Sequence, residues 1–179
     1  MYYGTKTSSL EKVDVRWLAQ FFVLATPAIL LPFFIHIQWL TGPIINAILI
    51  LAVIVVGIRA AMVIALIPSL IALGSGLIPA ILAPVVPFIM IANVVLILAV
   101  DYFYNNRKSD SIGYANGVVV GAVLKFALLY FSVDLIAKLL IKQELVTAVA
   151  SMMGWMQLMT ALAGGVIAWV VLKFLKFVK

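Results

Sequence analysis

Gly113-Tyr-Ala-Asn-Gly117-Val-Val-Val-Gly121-Ala-Val-Leu-Lys125 sets three glycines at four-residue intervals and a lysine at the next position of the same row. Residues four apart lie on adjacent turns of one helix face and drift only slowly around the axis. In lipid, such a row of small residues lets a second helix approach closely, so it marks a face turned toward protein. Lys125 shares that face and is predicted to point inward. The flanking run from Val118 to Val133 is otherwise nearly all apolar. A charge within such a span costs at least about 2.5–3.5 kcal/mol at the bilayer centre unless it is paired or hydrated. The chain must supply Lys125 with polar company, and the other polar residues can be read by asking which of them reach its depth.

Composition puts those flanks in a membrane. Of the 179 residues, 66% are hydrophobic and only 10% are charged, with a mean hydropathy of +1.28. A soluble domain of this size would have too little polar surface to cover itself. The chain reads as an all-α, polytopic membrane protein. Residues 15–179 form a single transmembrane domain, preceded by a cytoplasmic segment over residues 1–14, and no room remains for a separate water-soluble domain. With no cysteine, disulfides, thiolate metal sites and iron–sulfur clusters are excluded. One histidine, His36, is too few for a histidine-built cage, so neither a metal nor a cofactor is expected. The net charge of +6 does not point to nucleic acid, because the basic residues gather at helix ends, where membrane topology accounts for them. No cleavage-site pattern follows the first apolar run, which reads as a retained helix and not as a signal peptide.

Six transmembrane helices are expected. The first covers Val15 to Gln38, bent by Pro27 and Pro32; membranes tolerate such kinks where neighbours or water re-satisfy the freed carbonyls. A turn follows at Trp39-Leu-Thr-Gly42-Pro43. Ile44–Ile58 and Ala60–Leu73, separated around Arg59, are each about 15 residues long, against the roughly 20 of a perpendicular span. They are either two short spans or one re-entrant hairpin, and the Arg59 turn, which reads as a membrane exit, favours two spans. Glycine and proline punctuate the stretch from Gly74 to Pro87. The fourth span runs from Pro87 to Tyr104 and ends at the hydrophilic loop 105–110. The fifth covers Tyr114 to Ser132. A segment with Asp134, Lys138, Lys142, Gln143 and Glu144 follows and reads as an amphipathic helix on the membrane surface. Ala148 to Leu172 is the sixth span.

Six spans put both termini on one side. That side receives Lys6, Lys12, Arg16, Arg59, Arg107, Lys108, Lys173, Lys176 and Lys179, nine of the twelve basic residues. The positive-inside rule then places both termini in the cytoplasm and the protein in the cell (plasma or inner) membrane. At about 1.5 Å per residue, Lys125 lies roughly 16 Å above the cytoplasmic edge counted from Tyr114, and Asn93 reaches the same level counted from Tyr104. His36 and Gln38 fall at the outer end of the first span, Asn46 at the outer start of the second, and Trp155 and Gln157 in the outer half of the sixth. Polar groups at or above the midplane thus come from several helices, while the cytoplasmic half is nearly plain hydrocarbon. Because intramembrane polar groups face a cavity or one another, the pattern predicts a pocket open to the outside with Lys125 and Asn93 at its floor. Plainer readings stand beside this one. Asn93 could be an interhelical clasp, His36 and Gln38 ordinary interface residues, and Trp155 a member of an aromatic belt. For Lys125 the nearest acids, Asp101 and Asp134, fall toward opposite membrane faces. Holding an anionic ligand group is the simplest role left to it.

Nothing in the chain reads as catalytic machinery: there is no acidic pair, His–Glu metal motif, nucleophile elbow or P-loop. The protein is not expected to be an enzyme, and any active transport would draw on another subunit's ATP hydrolysis or on an ion gradient. Buried carboxylates and an internal repeat, the usual marks of an ion-coupled carrier, are missing.

At this point the chain resembles a known family, the substrate-binding S components of energy-coupling factor (ECF) importers. The resemblance lies in its small size, six spans and outward polar groups. It lies also in the run of small residues and prolines through Gly42-Pro43-Ile-Ile-Asn46-Ala, Ile67-Pro68-Ser69 to Gly76-Leu-Ile-Pro79, and Ala83-Pro84-Val-Val-Pro87 to Asn93. The segment Gly121-Ala-Val-Leu-Lys125-Phe looks like the fifth helix of one uncharacterised subgroup. The resemblance implies a protein that captures a vitamin or similar micronutrient from outside and topples in the bilayer to deliver it. Its implied partners are a transmembrane T subunit and two cytoplasmic ATPases. Lys125, Asn93, Asn46, Gln157, Trp155, His36 and Gln38 would then bind substrate, and Gly113, Gly117 and Gly121 would pack helices or meet a partner. Many S components carry an Ala-x-x-x-Ala pair on helix one for T-subunit docking. Here that spacing occurs instead at Ala61 and Ala65 on helix three. The alternatives from other classes are a non-catalytic structural subunit of a larger membrane complex, and a small ion-coupled carrier or channel.

Overall fold

The structure is a computed structural model that describes residues 14–106, 110–138 and 143–177. Among the described residues there are seven α-helices and no strand: α1 (Val15–Phe34), α2 (Gln38–Val55), α3 (Ile58–Gly74), α4 (Val86–Asn105), α5 (Asp110–Ala137), α6 (Gln143–Met153) and α7 (Trp155–Phe174), with a 3-10 segment over Ala80–Val85 leading into α4. Five stretches are long and apolar enough to cross a bilayer: Val15–Phe34, Gln38–Val55, Ala80–Asn105, Asp110–Ala137 and Val149–Phe174. The remaining long helix, α3, is equally apolar in character but has 17 residues. The fold is that of an all-helical, multi-pass membrane protein. Of the expected N-terminal segment, only Asp14 is described; Lys6, Lys12, Arg107, Lys108, Lys142 and Lys179 also lie outside the described residues.

Local chemistry sets the helix ends. Asp14 caps α1, its carboxylate accepting from the backbone N–H of Arg16 and Trp17, which satisfies donors that a first turn leaves free. Gly57, at φ 109° and ψ 163°, turns the chain between α2 and α3 in a region open essentially to glycine alone. Several boundaries differ from the sequence reading. Helix one ends at Phe34 and not at Gln38, because the chain is extended through Ile35 and Ile37. The expected Trp39–Pro43 turn is instead the opening of α2, with Pro43 inside the helix at its sixth position; it removes one backbone donor there, a loss that membrane helices tolerate where neighbours re-satisfy the freed carbonyl. The separate surface helix expected over 134–144 is divided differently. No glycine or proline follows Gly121 until Gly154, and α5 continues unbroken to Ala137, while residues 139–142 lie outside the described residues. The expected sixth span is broken at Gly154 into α6 and α7.

α4 packs along α5 and α2 along α7, and α3 lies against α2 and α4. α1 sits at the edge of the bundle, touching α2 and α3, with only Ala25, Ala28 and Pro32 buried. The apolar interior falls into two clusters. One joins Leu49, Ile50, Ala61, Ile64, Leu96, Val100, Val118 and Leu172; the other joins Ala72, Leu82, Ile89, Leu129, Val149 and Met153. Between them lies a layer of buried polar side chains.

Close helix approach creates that layer. A Cβ added at Gly117 would lie 2.9 Å from the Cα of Val100, and one at Gly121 would lie 3.0 Å from the carbonyl oxygen of Leu96. The glycine row therefore packs α5 on α4 within this chain, and Gly113 is buried as well. Ala61 and Ala65 are both fully buried, so they pack helices of this bundle and offer no outward docking face.

Candidate functional site

Lys125 is only 2% exposed. One turn beyond Gly121, it emerges where α5 is pressed against α4, and its Nζ donates to Asn93 Oδ1 at 2.8 Å and to Asn46 Oδ1 at 2.7 Å. The two amides are held oxygen-inward by their own nitrogens. Asn46 Nδ2 donates to the Gly42 carbonyl at 2.9 Å, and Asn93 Nδ2 donates to the Ala65 carbonyl at 3.3 Å and to Ser69 Oγ at 3.5 Å. Turning either amide over would aim N–H groups at the ammonium and abandon these carbonyls. The contacts have the short lengths of charge-assisted bonds. An ammonium carries three donors, and the third N–H of Lys125 has no protein partner among the described residues.

This cluster lines a cavity of about 80 Å³. Gln157, Ser69, Gln38 and Thr41 add polar groups to the wall, and Ile45, Pro68, Ile78 and Ile89 make it aliphatic. α7 reaches the site through another tight contact: a Cβ at Gly164 would lie 2.6 Å from Asn46 Cβ and 2.7 Å from the Pro43 carbonyl oxygen. Gln157, about two turns earlier on α7, is thereby brought to the wall with 6% exposure. Among the described residues no group of histidine, cysteine or carboxylate side chains could hold a metal, and no acid lines the cavity.

Five of the residues singled out by sequence meet here: Lys125, Asn93, Asn46, Gln157 and Gln38. Two do not. His36 is exposed, and its Nε2 lies 3.3 Å from the Ser75 carbonyl, tying the α1–α2 linker to the end of α3. Trp155 is 67% exposed and lies with its ring centroid 5.1 Å from that of Phe126. It lines a surface groove with Trp39, Tyr130 and Phe131, as an aromatic belt residue would. Asn46 sits deeper than its expected place at the outer start of helix two. Because α2 begins at Gln38, Asn46 is about 12 Å along the helix.

Ser69 and Thr41 also line the cavity, and the sequence reading does not single them out. The signal for Ser69 is the same depth count that found Lys125 and Asn93: eleven residues from Ile58, the true start of α3, is about 16 Å. Thr41 carries no comparable signal, because its hydroxyl donates to the Ile37 carbonyl of its own helix. Comparisons of the chain with protein-family models, with curated proteins and with solved structures give no match.

Proposed function

We propose that this chain is a membrane-embedded subunit that binds a small molecule, of the kind represented by the S components of ECF importers. In this reading it crosses the bilayer six times with both termini in the cytoplasm of a cell whose plasma or inner membrane it occupies, and its cavity receives ligand from the outer face. The carrying observation is the Lys125 ammonium, buried between two carboxamide oxygens at a cavity with no carboxylate in reach. A charge in a span is retained against its solvation cost where it serves a site. Lys125 has one donor left for an anionic ligand group, and Gln157 and Gln38 have amides for its other polar atoms.

Support for six crossings comes from α3, which runs from the first apolar cluster at Ala61 and Ile64, past the polar layer at Ser69, to the second cluster at Ala72. Passing the same three layers as α4 supports counting α3 as a crossing. Hydrogen bonds beside the first apolar cluster fit an even number of crossings: Trp17 Nε1 donates to the Val56 carbonyl at 3.1 Å and Tyr104 donates to the Phe177 carbonyl at 3.2 Å, and Phe21, Val55, Tyr104 and Val171 all pack on that one cluster. Transport would need energy from partners, a T subunit and two ATPases; with Ala61 and Ala65 internal, docking would use other surfaces. A structural subunit is the second reading, favoured by the clasp from Asn93 on α4 to the Ala65 carbonyl on α3.

Native mass spectrometry of the gently purified full chain separates the two. The expected result is a retained small molecule that Lys125→Met releases. An empty wild type that co-purifies with other integral subunits, and lacks ATPases among them, would overturn the binding reading.

A further inference from the structure

The cavity wall carries more chemical information than the presence of a site. Lys125 is the one charged residue among the groups that line it, and no arginine, second lysine or acid accompanies it. In a low-dielectric site an unmatched charge is strongly selective: a cation would meet repulsion, and a dianion would retain a charge without a partner. Phosphate recognition ordinarily draws on arginine forks or several converging donors, whereas Lys125 has a single N–H to spare.

A second observation is independent of the lysine. Gln157 is 6% exposed and lines the cavity. Its backbone N–H donates to the Gly154 carbonyl and its carbonyl accepts from Thr160 Oγ1 at 3.2 Å, but its side-chain amide makes no hydrogen bond within the protein among the described residues. That amide offers both a donor and an acceptor to whatever fills the cavity. Of the other polar groups on the wall, Thr41, Asn46, Ser69 and Asn93 are engaged in hydrogen bonds within the protein, and Gln38 lies at the edge of the cavity on the first residue of α2; Ile45, Pro68, Ile78 and Ile89 are aliphatic, and no aromatic side chain lines the cavity. A flat heterocycle would find nothing to stack on. The free space, about 80 Å³, favours a compact ligand.

From these features we infer that the cavity takes a compact aliphatic monocarboxylate bearing one further neutral hydrogen-bonding group, a hydroxyl or an amide. The carboxylate meets the free N–H of Lys125, the neutral group meets the Gln157 amide, and the aliphatic body lies against the isoleucines and Pro68. This class rests on the binding-subunit reading given above and narrows it.

The test is thermal unfolding of the purified full chain in detergent against a panel of probes. It comprises butyrate, β-hydroxybutyrate and N-acetyl-β-alanine; the neutral amides of the last two; and inorganic phosphate, chloride, benzoate and tetramethylammonium. A ligand at a hundredfold excess over its Kd should raise the midpoint by about 5–10 °C for a chain of this size. The expected result is a rise with β-hydroxybutyrate and N-acetyl-β-alanine, a smaller rise with butyrate, and none with the neutral amides or the remaining probes. Lys125→Met should abolish the response to every acid. Gln157→Leu, which keeps the lysine cluster intact, should bring β-hydroxybutyrate down to the level of butyrate while butyrate itself is unchanged. Equal stabilisation by an acid and its neutral amide would overturn the inference, as would preference for phosphate, chloride, benzoate or the cation. If native mass spectrometry finds a retained molecule of one of those other classes, the chemical class fails and the binding-subunit reading survives. If no molecule is retained and no probe stabilises the protein, both fail.

Discussion

Lys125 is held by two neutral oxygens and no counter-charge, so the magnitudes matter. Its placement costs at least about 2.5–3.5 kcal/mol, and a hydrogen bond to a charged group contributes about 1.5–3 kcal/mol. Two such bonds bring the lysine near balance with no ligand bound, which is how an empty site can keep a charge inside the bilayer. Removing the lysine should then strand its partners. Lys125→Met leaves Asn46 Oδ1 and Asn93 Oδ1 without their donor, a loss of about 1–3 kcal/mol for each. Asn93→Leu removes one acceptor together with the bond to Ala65. In the double variant the Asn93 oxygen no longer exists to be stranded, so the combined loss should fall short of the sum by about 0.5–3 kcal/mol. Denaturant unfolding in detergent would measure this coupling; additivity within about 0.5 kcal/mol would mean that the contact carries no energy. Counting residues from the helix ends made the Lys125–Asn93 pair legible in the sequence, because depth follows from rise per residue. Depth says nothing of rotation about the helix axis. That is why His36 and Trp155, at suitable depths, face away from the cavity; Ser69 needs instead the exact start of α3 at Ile58, which the apolar pattern does not fix.

At the level of the helix, the site depends on where backbones can touch. Gly164 lets α7 approach α2 at Pro43, Asn46 and Ala47, the turn that carries one of the two lysine partners. A methyl group there would collide with backbone atoms that cannot rotate away. Gly164→Ala should therefore destabilise by about 1–3 kcal/mol and loosen the Asn46–Lys125 contact, seen as a lower unfolding midpoint and weaker ligand stabilisation. Gly74, the last residue of α3, has open space where its Cβ would be. Gly74→Ala should be neutral or stabilising by up to about 1 kcal/mol, because it narrows the unfolded ensemble. Equal effects at the two positions would contradict the close-contact account. The glycine row of α5 was readable as a contact face from its spacing, but the Gly164 contact, made by a single Gly-Gly pair at 164–165, lacked that repetition. Helix limits were least legible at prolines and polar runs. Pro43 reads as a turn in a linear scan, yet it lies inside α2, since membrane helices tolerate an interior proline where neighbours re-satisfy the freed carbonyl. The charges after Ser132 suggest a surface segment, yet nothing there stops α5.

For the molecule as a whole, the path of α3 decides the number of crossings. Its 17 residues extend about 25 Å, a few ångströms short of a hydrocarbon core of about 30 Å. Local bilayer thinning accommodates such a deficit at a fraction of a kcal/mol per ångström, and the stem of Arg59 can lie along apolar surface while its head reaches water. A re-entrant hairpin of α2 and α3 would instead turn back near Arg59 within the bilayer and return the chain to the side from which α2 entered. Composition made the membrane character legible, but it could not decide this point, since a short apolar run satisfies either path. The packing favours a crossing, because α3 passes both apolar clusters and the polar layer between them. The chain has no cysteine, so single cysteines can be introduced without background and probed in intact cells with a membrane-impermeant maleimide. Arg59, Asn106, Ala80, Lys138 and Lys176 are all exposed. Ala80→Cys and Lys138→Cys should label from outside, whereas Arg59→Cys, Asn106→Cys and Lys176→Cys should label only after permeabilisation. Arg59→Cys and Ala80→Cys flank α3 and form the decisive pair. If both label from outside, α2 and α3 form a re-entrant hairpin and four crossings remain; if both label only after permeabilisation, α3 alone does not cross, the number of crossings becomes odd, and the cavity can no longer be assigned to the outer face by the charge rule.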